Sequence, residues 1–170
     1  YRYPHQANNE HIPVAHFMST VISKRVDTPL PSVNGYADLS QHEDLIQAAL
    51  IDREGNWVTR GILQNFAPGL DGMASTYNTT TELLTMGRDP NAMAIAAARV
   101  YEMGGGIAIV DGDKIVLEIP LPLTGMMTTS SSFDQATKYQ NLFLNAMKER
   151  GNPFHDILYS LLFLTCDFLP

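Results

Sequence analysis

A helix signal that runs into three consecutive glycines and then into a hairpin signal constrains this chain more than any other stretch. Asp89 is a good N-cap, and Pro90 suits the first helical position, where its missing N–H leaves no bond unmade. Ala92, Ala94, Ala96, Ala97 and Ala98 supply helix propensity. Met93, Ala96, Ala97, Val100 and Tyr101 recur with the spacing of one buried stripe. Gly104 offers a left-handed stop. Ile107 to Val110 and Lys114 to Ile119 then face each other across Asp111-Gly112-Asp113, and Asp-Gly is a strong hairpin signal. The first of these strands is apolar on both faces, which predicts a place between two layers. Phosphate cradles put glycines before a helix, at its positive end. Here the glycines follow the helix, so they are read as a stop with close packing.

Two further hairpins are expected. Leu45 to Ile51 and Trp57 to Leu63 flank a turn at Glu54-Gly55-Asn56, although a short helix over 41–50 competes for the first arm. Met73 to Thr76 and Glu82 to Met86 flank the polar tip Tyr77-Asn78-Thr79-Thr80-Thr81. Ser132 and Gln135 form a capping box for a helix over 133–150, which Gly151 closes. A third helix is expected from Pro153 through Leu164. Helix and strand fit 16–26 equally, and Asp27 to Tyr36 reads as a linker or loop. The expectation is an α+β layered domain. A mixed or antiparallel sheet, with hairpins near 45–63, 73–86 and 106–120, packs against helices near 90–103, 133–150 and 153–165. Residues 1–44 stay an unassigned N-terminal segment or linker, and 45–170 form the domain.

Charge and cysteine usage narrow the partners. A formal charge of -7, with no basic run longer than Lys24-Arg25, argues against nucleic acid. No apolar run approaches the ~20 residues of a membrane span. One cysteine, Cys166, allows no internal disulfide. Its apolar setting reads as a buried, inert thiol in a reducing, cytoplasmic compartment. The chain opens at Tyr1 and stops after an apolar segment, which reads as a piece of a longer protein.

Chemistry-bearing residues are sparse. The five histidines (His5, His11, His16, His42, His155) show no His-x-His or His-x-x-x-His spacing, so no metal site is expected in this chain. Ser75 lies outside any Gly-x-Ser-x-Gly elbow. The adjacent Glu43 and Asp44 read as a solvated turn or helix start. What remains is the run from Asn78 to Glu82. With Ser75, the residues Asn78, Thr79, Thr80 and Thr81 could line a polar pocket, cap a helix from another domain, or form an ordinary turn.

Met103-Gly104-Gly105-Gly106 with its hairpin, and Leu121-Pro122-Leu123-Thr124-Gly125-Met126-Met127, resemble the C-terminal domain of the adenine deaminases. So do Asn152-Pro153-Phe154, Leu161 to Leu164, and Leu169-Pro170. The resemblance is collinear over about 45–170. It implies an amidohydrolase-superfamily enzyme that hydrolyses adenine to hypoxanthine and ammonia. A divalent transition metal (manganese, iron or zinc) would be held by histidines of a preceding barrel domain, and no cofactor by this chain. The implied partners are that barrel, a small purine-like substrate and, as an option, further copies of the protein. The family typically carries Ala-His-Asp-Ser-His-Asn where this chain has Tyr77-Asn78-Thr79-Thr80-Thr81-Glu82. Both histidines and the aspartate are replaced, which implies a divergent relative with another substrate or without the activity. Glu82 is the one carboxylate left in the run and its only candidate acid/base group. A binding module without catalysis and a structural or oligomerisation domain are the competing readings.

Overall fold

A mixed sheet of eight strands organises the chain. The computed structural model describes residues 1–5, 11–129 and 132–166; Leu169 and Pro170 of the resemblance lie outside the described residues. The strands are β1 (His11–Phe17), β2 (Ser23–Pro29), β5 (Leu45–Ile51), β6 (Val58–Gln64), β7 (Gly72–Ser75), β8 (Leu83–Gly87), β9 (Gly106–Asp111) and β10 (Lys114–Pro120). A separate small hairpin pairs β3 (Ser32–Val33) with β4 (Tyr36–Ala37). The sheet order is β10-β9-β7-β8-β5-β6-β1-β2. All neighbours are antiparallel except β1 and β6, which are parallel at Ala15 and His16.

Each side of the sheet carries a different core, because alternate residues of a strand point to opposite faces. Ala74, Ala108 and Val110 meet Ala92, Ala96, Ala97 and Val100 of α1 (Pro90–Glu102). These side chains are small, so the helix rides close. A Cβ at Gly72 would stand 2.3 Å from the Ala92 carbonyl carbon. The opposite face presents Met73, Met86, Ile107 and Ile109 to Phe143 and Met147 of α2 (Phe133–Glu149) and to Ile157 and Leu161 of α3 (Ile157–Phe163). The strand expected between layers, β9, is buried from Gly106 through Val110.

Local signals set the ends of α1 and α2. Asp89 accepts from the Asn91 N–H, and the Gly104 and Gly105 N–H groups return to the Tyr101 and Val100 carbonyls. That pair of bonds, with Gly104 at φ 72°, is the Schellman stop. The same device ends α2 at Gly151 (φ 82°) and Asn152.

Other expectations are corrected. The third helix starts at Ile157, not at 153, because Asn152 is committed elsewhere. Its side chain donates to the Phe66 carbonyl at 2.7 Å and accepts from the Phe154 N–H, holding a turn until Asp156 caps the helix. Residues 41–50 hold no helix; β5 runs antiparallel to both β6 and β8. The stretch 27–36, expected as a linker or loop, is part strand and part turn. It holds the end of β2 and the β3–β4 turn, where Asn34 and Gly35 take φ 54° and 80°. Segment 16–26 is the end of β1, a turn and most of β2. Ile12 and Val14 of β1 join Leu30, Ala37, Leu45 and Ile62 in a third cluster, so the N-terminal residues extend the sheet.

Candidate functional site

One end of the sheet collects the polar loop, the glycines and the proline-punctuated exit. There β5, β7 and β10 finish and β6, β8 and β9 begin. Thr76, just past β7, joins three of these pieces. Its hydroxyl donates to the Gly125 carbonyl at 2.7 Å and accepts the Gly106 N–H at 2.9 Å. The approach leaves no room for side chains. A Cβ at Gly125 would lie 2.8 Å from Thr76 Oγ1, one at Gly105 would lie 2.8 Å from the Gly125 Cα, and one at Gly106 would lie 2.2 Å from the Ile119 oxygen. Two of the motifs behind the family resemblance, Gly104 to Gly106 and Leu121 to Met127, therefore meet at one threonine.

The polar run from Asn78 to Glu82 folds onto itself. Asn78 is fully buried; its amide nitrogen donates to the Glu82 carbonyl at 2.9 Å. Its side-chain oxygen accepts from the Thr80 N–H at 3.1 Å and the Thr80 hydroxyl at 2.7 Å. Ser75 is buried and accepts from the Tyr77 N–H at 2.9 Å. Thr79 gives its N–H to the Leu162 carbonyl of α3 at 3.1 Å, and its hydroxyl lies 3.1 Å from that of Thr165. The loop thus caps a helix of this same chain. Cys166, expected buried, is only half-buried, with Sγ 3.2 Å from the Thr79 hydroxyl.

Arg53, in the turn after β5, ties this loop to the exit after β10. Its N–H donates to the Glu82 carboxylate at 2.7 Å. Its guanidinium donates to the Thr81 carbonyl at 2.8 Å and the Thr124 carbonyl at 3.2 Å. Thr81 and Thr124 both lie in the left-handed region, at φ 58° and 57°, which is strained for a β-branched residue. Sequence reasoning missed Arg53 and Thr76. No local pattern marks them, because their partners lie 28 to 71 residues away.

Two hollows flank the loops. One of about 630 Å³ lies beside the end of α1, against Arg53, Thr76, Tyr101 and Gly105. The other, of about 450 Å³, lies beneath the start of α2, against Tyr77, Met126 and Tyr139. Thr76 lines the first and Tyr77 the second, while Ser75, Asn78, Thr79, Thr80, Thr81 and Glu82 line neither. Burial and then the Asp156 carboxylate raise the Tyr77 phenol above its ordinary value, so it stays an O–H donor at neutral pH. Among the described residues, no group of three His, Cys, Asp or Glu is placed to hold a metal ion. His5 instead meets the Leu30 carbonyl and His16 the Gln64 amide. This end of the molecule offers shape, fixed hydroxyls and amides, and the carboxylates of Asp52, Glu54 and Glu82 close to Arg53.

The family model described as adenine deaminase C-terminal domain matches residues 20–170. The chain belongs to that family. "Putative adenine deaminase YerA" of Bacillus subtilis (strain 168) is 34% identical over 137 residues, which cover 81% of this chain and 23% of that protein. A protein named in the same way from Oceanobacillus iheyensis is 36% identical over 121 residues, covering 71% and 21%. The "Adenine deaminase" of Staphylothermus marinus is 28% identical over 156 residues, covering 89% and 26%. This adenine deaminase C-terminal domain thus spans about a fifth to a quarter of the curated relatives it matches.

Proposed function

We propose that this chain is the wall-forming C-terminal part of a hydrolase of the adenine-deaminase kind, acting on an exocyclic amine of a purine-like substrate. The water-activating ion would belong to a barrel domain elsewhere in the polypeptide, since the residues described here do not fit one. The loop from Thr76 to Glu82, set at one end of the sheet, would form part of the boundary of that domain's site. The observation that carries the reading is the state of the loop. In a chain of this family, residues Asn78 to Glu82 hold no imidazole, and Asn78 binds the Thr80 N–H and hydroxyl and the Glu82 carbonyl. Such a loop can shape a site and keep water out, and its one carboxylate, Glu82, is engaged by the Arg53 N–H.

The test is ammonia release by the longer, metal-loaded polypeptide over a panel of aminopurines. Hydrolysis of at least one supports the reading, and inertness toward the whole panel overturns it.

A further inference from the structure

A third hollow, of about 470 Å³, lies at the other end of the sheet, where β5 begins and β8 gives way to α1. Its size is within the range of small-molecule sites. Gln47, only 6% exposed, lines it. The Gln47 side-chain oxygen accepts the Tyr3 N–H at 3.2 Å, which turns the NH2 group away from Tyr3. That NH2 has no partner among the described residues. No fully buried side-chain nitrogen or oxygen among them lacks one, so the NH2 reaches open space, and the open space beside Gln47 is this hollow. A buried amide that turns unspent donors to a cavity is a place for an acceptor.

Gln47 stands opposite Gly87 in the β5–β8 ladder, which sets Arg88 beside it. Arg88 is clamped at one nitrogen: Nη1 donates to the Glu43 and His42 carbonyls at 2.6 and 3.1 Å. Its Nε–Nη2 edge has no partner among the described residues. With this same edge Arg99 grips Glu118 and Arg150 grips Asp111. Arg2, 5.9 Å from the centre of the Tyr36 ring, adds a second cation to the lining. The one carboxylate there, Asp38, already accepts from the Ser40 N–H and hydroxyl. Two guanidiniums thus meet one engaged carboxylate, and Val33, Leu39 and Leu45 make an apolar wall.

We propose that this hollow binds a small organic carboxylate with an apolar body. The Arg88 edge and the Gln47 NH2 receive its oxygens, Arg2 balances its charge, and Val33 and Leu39 meet its body. The proposal stands apart from the deaminase reading, because the loop from Thr76 to Glu82 lies at the opposite end of the strands.

The experiment is a titration of the 170-residue chain with benzoate, read from the nitrogen–proton signals of the Gln47 NH2 and the Arg88 Nε–H. Saturable shifts at both groups, with benzamide (the same ring without the charge) at least about tenfold weaker, support the proposal. Gln47→Glu keeps the acceptor for Tyr3 and puts negative charge where the NH2 stood, so benzoate binding weakens at least about tenfold. Arg2→Ala, at an exposed side chain, weakens it a few-fold and leaves the core untouched. Three results overturn the proposal: no saturable shift at either group up to the solubility of sodium benzoate; an equal response to benzamide or to inorganic phosphate; or unchanged benzoate binding by Gln47→Glu with the β9 amide signals in place.

Discussion

The guanidinium of Arg53 holds the carbonyl of Thr81 at 2.8 Å, and the same side chain reaches the Thr124 carbonyl at 3.2 Å. One cation thus pins two threonines that both sit in the left-handed region. Strain of this kind costs of order 1–3 kcal/mol per residue and persists only where neighbours impose it. Arg53→Ala removes the pin while leaving the sheet intact. Amide hydrogen exchange should speed up at least about tenfold from Asn78 to Glu82, with the β9 amides unchanged. Arg53→Lys restores little, since one ammonium cannot fork between two carbonyls.

The close packing at Thr76 predicts a graded glycine series. Gly106→Ala drives a Cβ to 2.2 Å from the Ile119 oxygen at φ 144°, and should cost about 3 kcal/mol or more in urea unfolding. Gly112→Ala, at φ 57° in open space, carries only the backbone penalty of about 1 kcal/mol. Equal losses would contradict the packing described.

This contrast bears on what could be read from the chain. Helix α1 and the β9–β10 hairpin were legible because their signals are local: a cap, an alanine run, a glycine stop and an Asp-Gly turn. The first two strands were not, because β1 meets β6 in parallel across nearly fifty residues and its partner β2 is polar. Pro13 and Pro29 looked like breakers. Yet Pro13 lies outside the part of β1 that pairs with β6, and Pro29 ends the outermost strand, where a missing N–H costs little. The polar run from Asn78 to Glu82 was visible as a feature, but its use was not. The partners that satisfy it at Arg53 and Leu162 are set by the fold, and so are the neighbours that shape the two hollows.

Acid stability should show the Arg99–Glu118 pair. The guanidinium forks onto the carboxylate at 2.7 and 3.0 Å, and this hydrogen bonding, more than charge alone, holds Glu118 below the ordinary glutamate value. Unfolded Glu118 binds a proton more readily than folded, so the pair's contribution is complete above pH ~4.3 and is lost as pH falls through the lowered value. The pair is about a third exposed, and salt screens it. Glu118→Gln should therefore narrow the gap between urea midpoints at pH 7 and pH 3, most visibly at low ionic strength.

Glu82 offers a functional test in the longer protein. Its carboxylate accepts from the Arg53 N–H, a role that a glutamine oxygen also fills. Glu82→Gln should leave kcat within about threefold and its pH profile unmoved. A loss of a hundredfold or more, the scale of a removed general acid or base, would make this carboxylate catalytic.

The most direct measurement is ammonia release from adenine by the 170-residue chain alone, supplied in turn with manganese, iron and zinc, alongside its bound-metal content. The account predicts no turnover and no stoichiometric metal, because it assigns walls and packing to this chain. Turnover by the chain itself, or an ion held tightly by its own side chains, would contradict it.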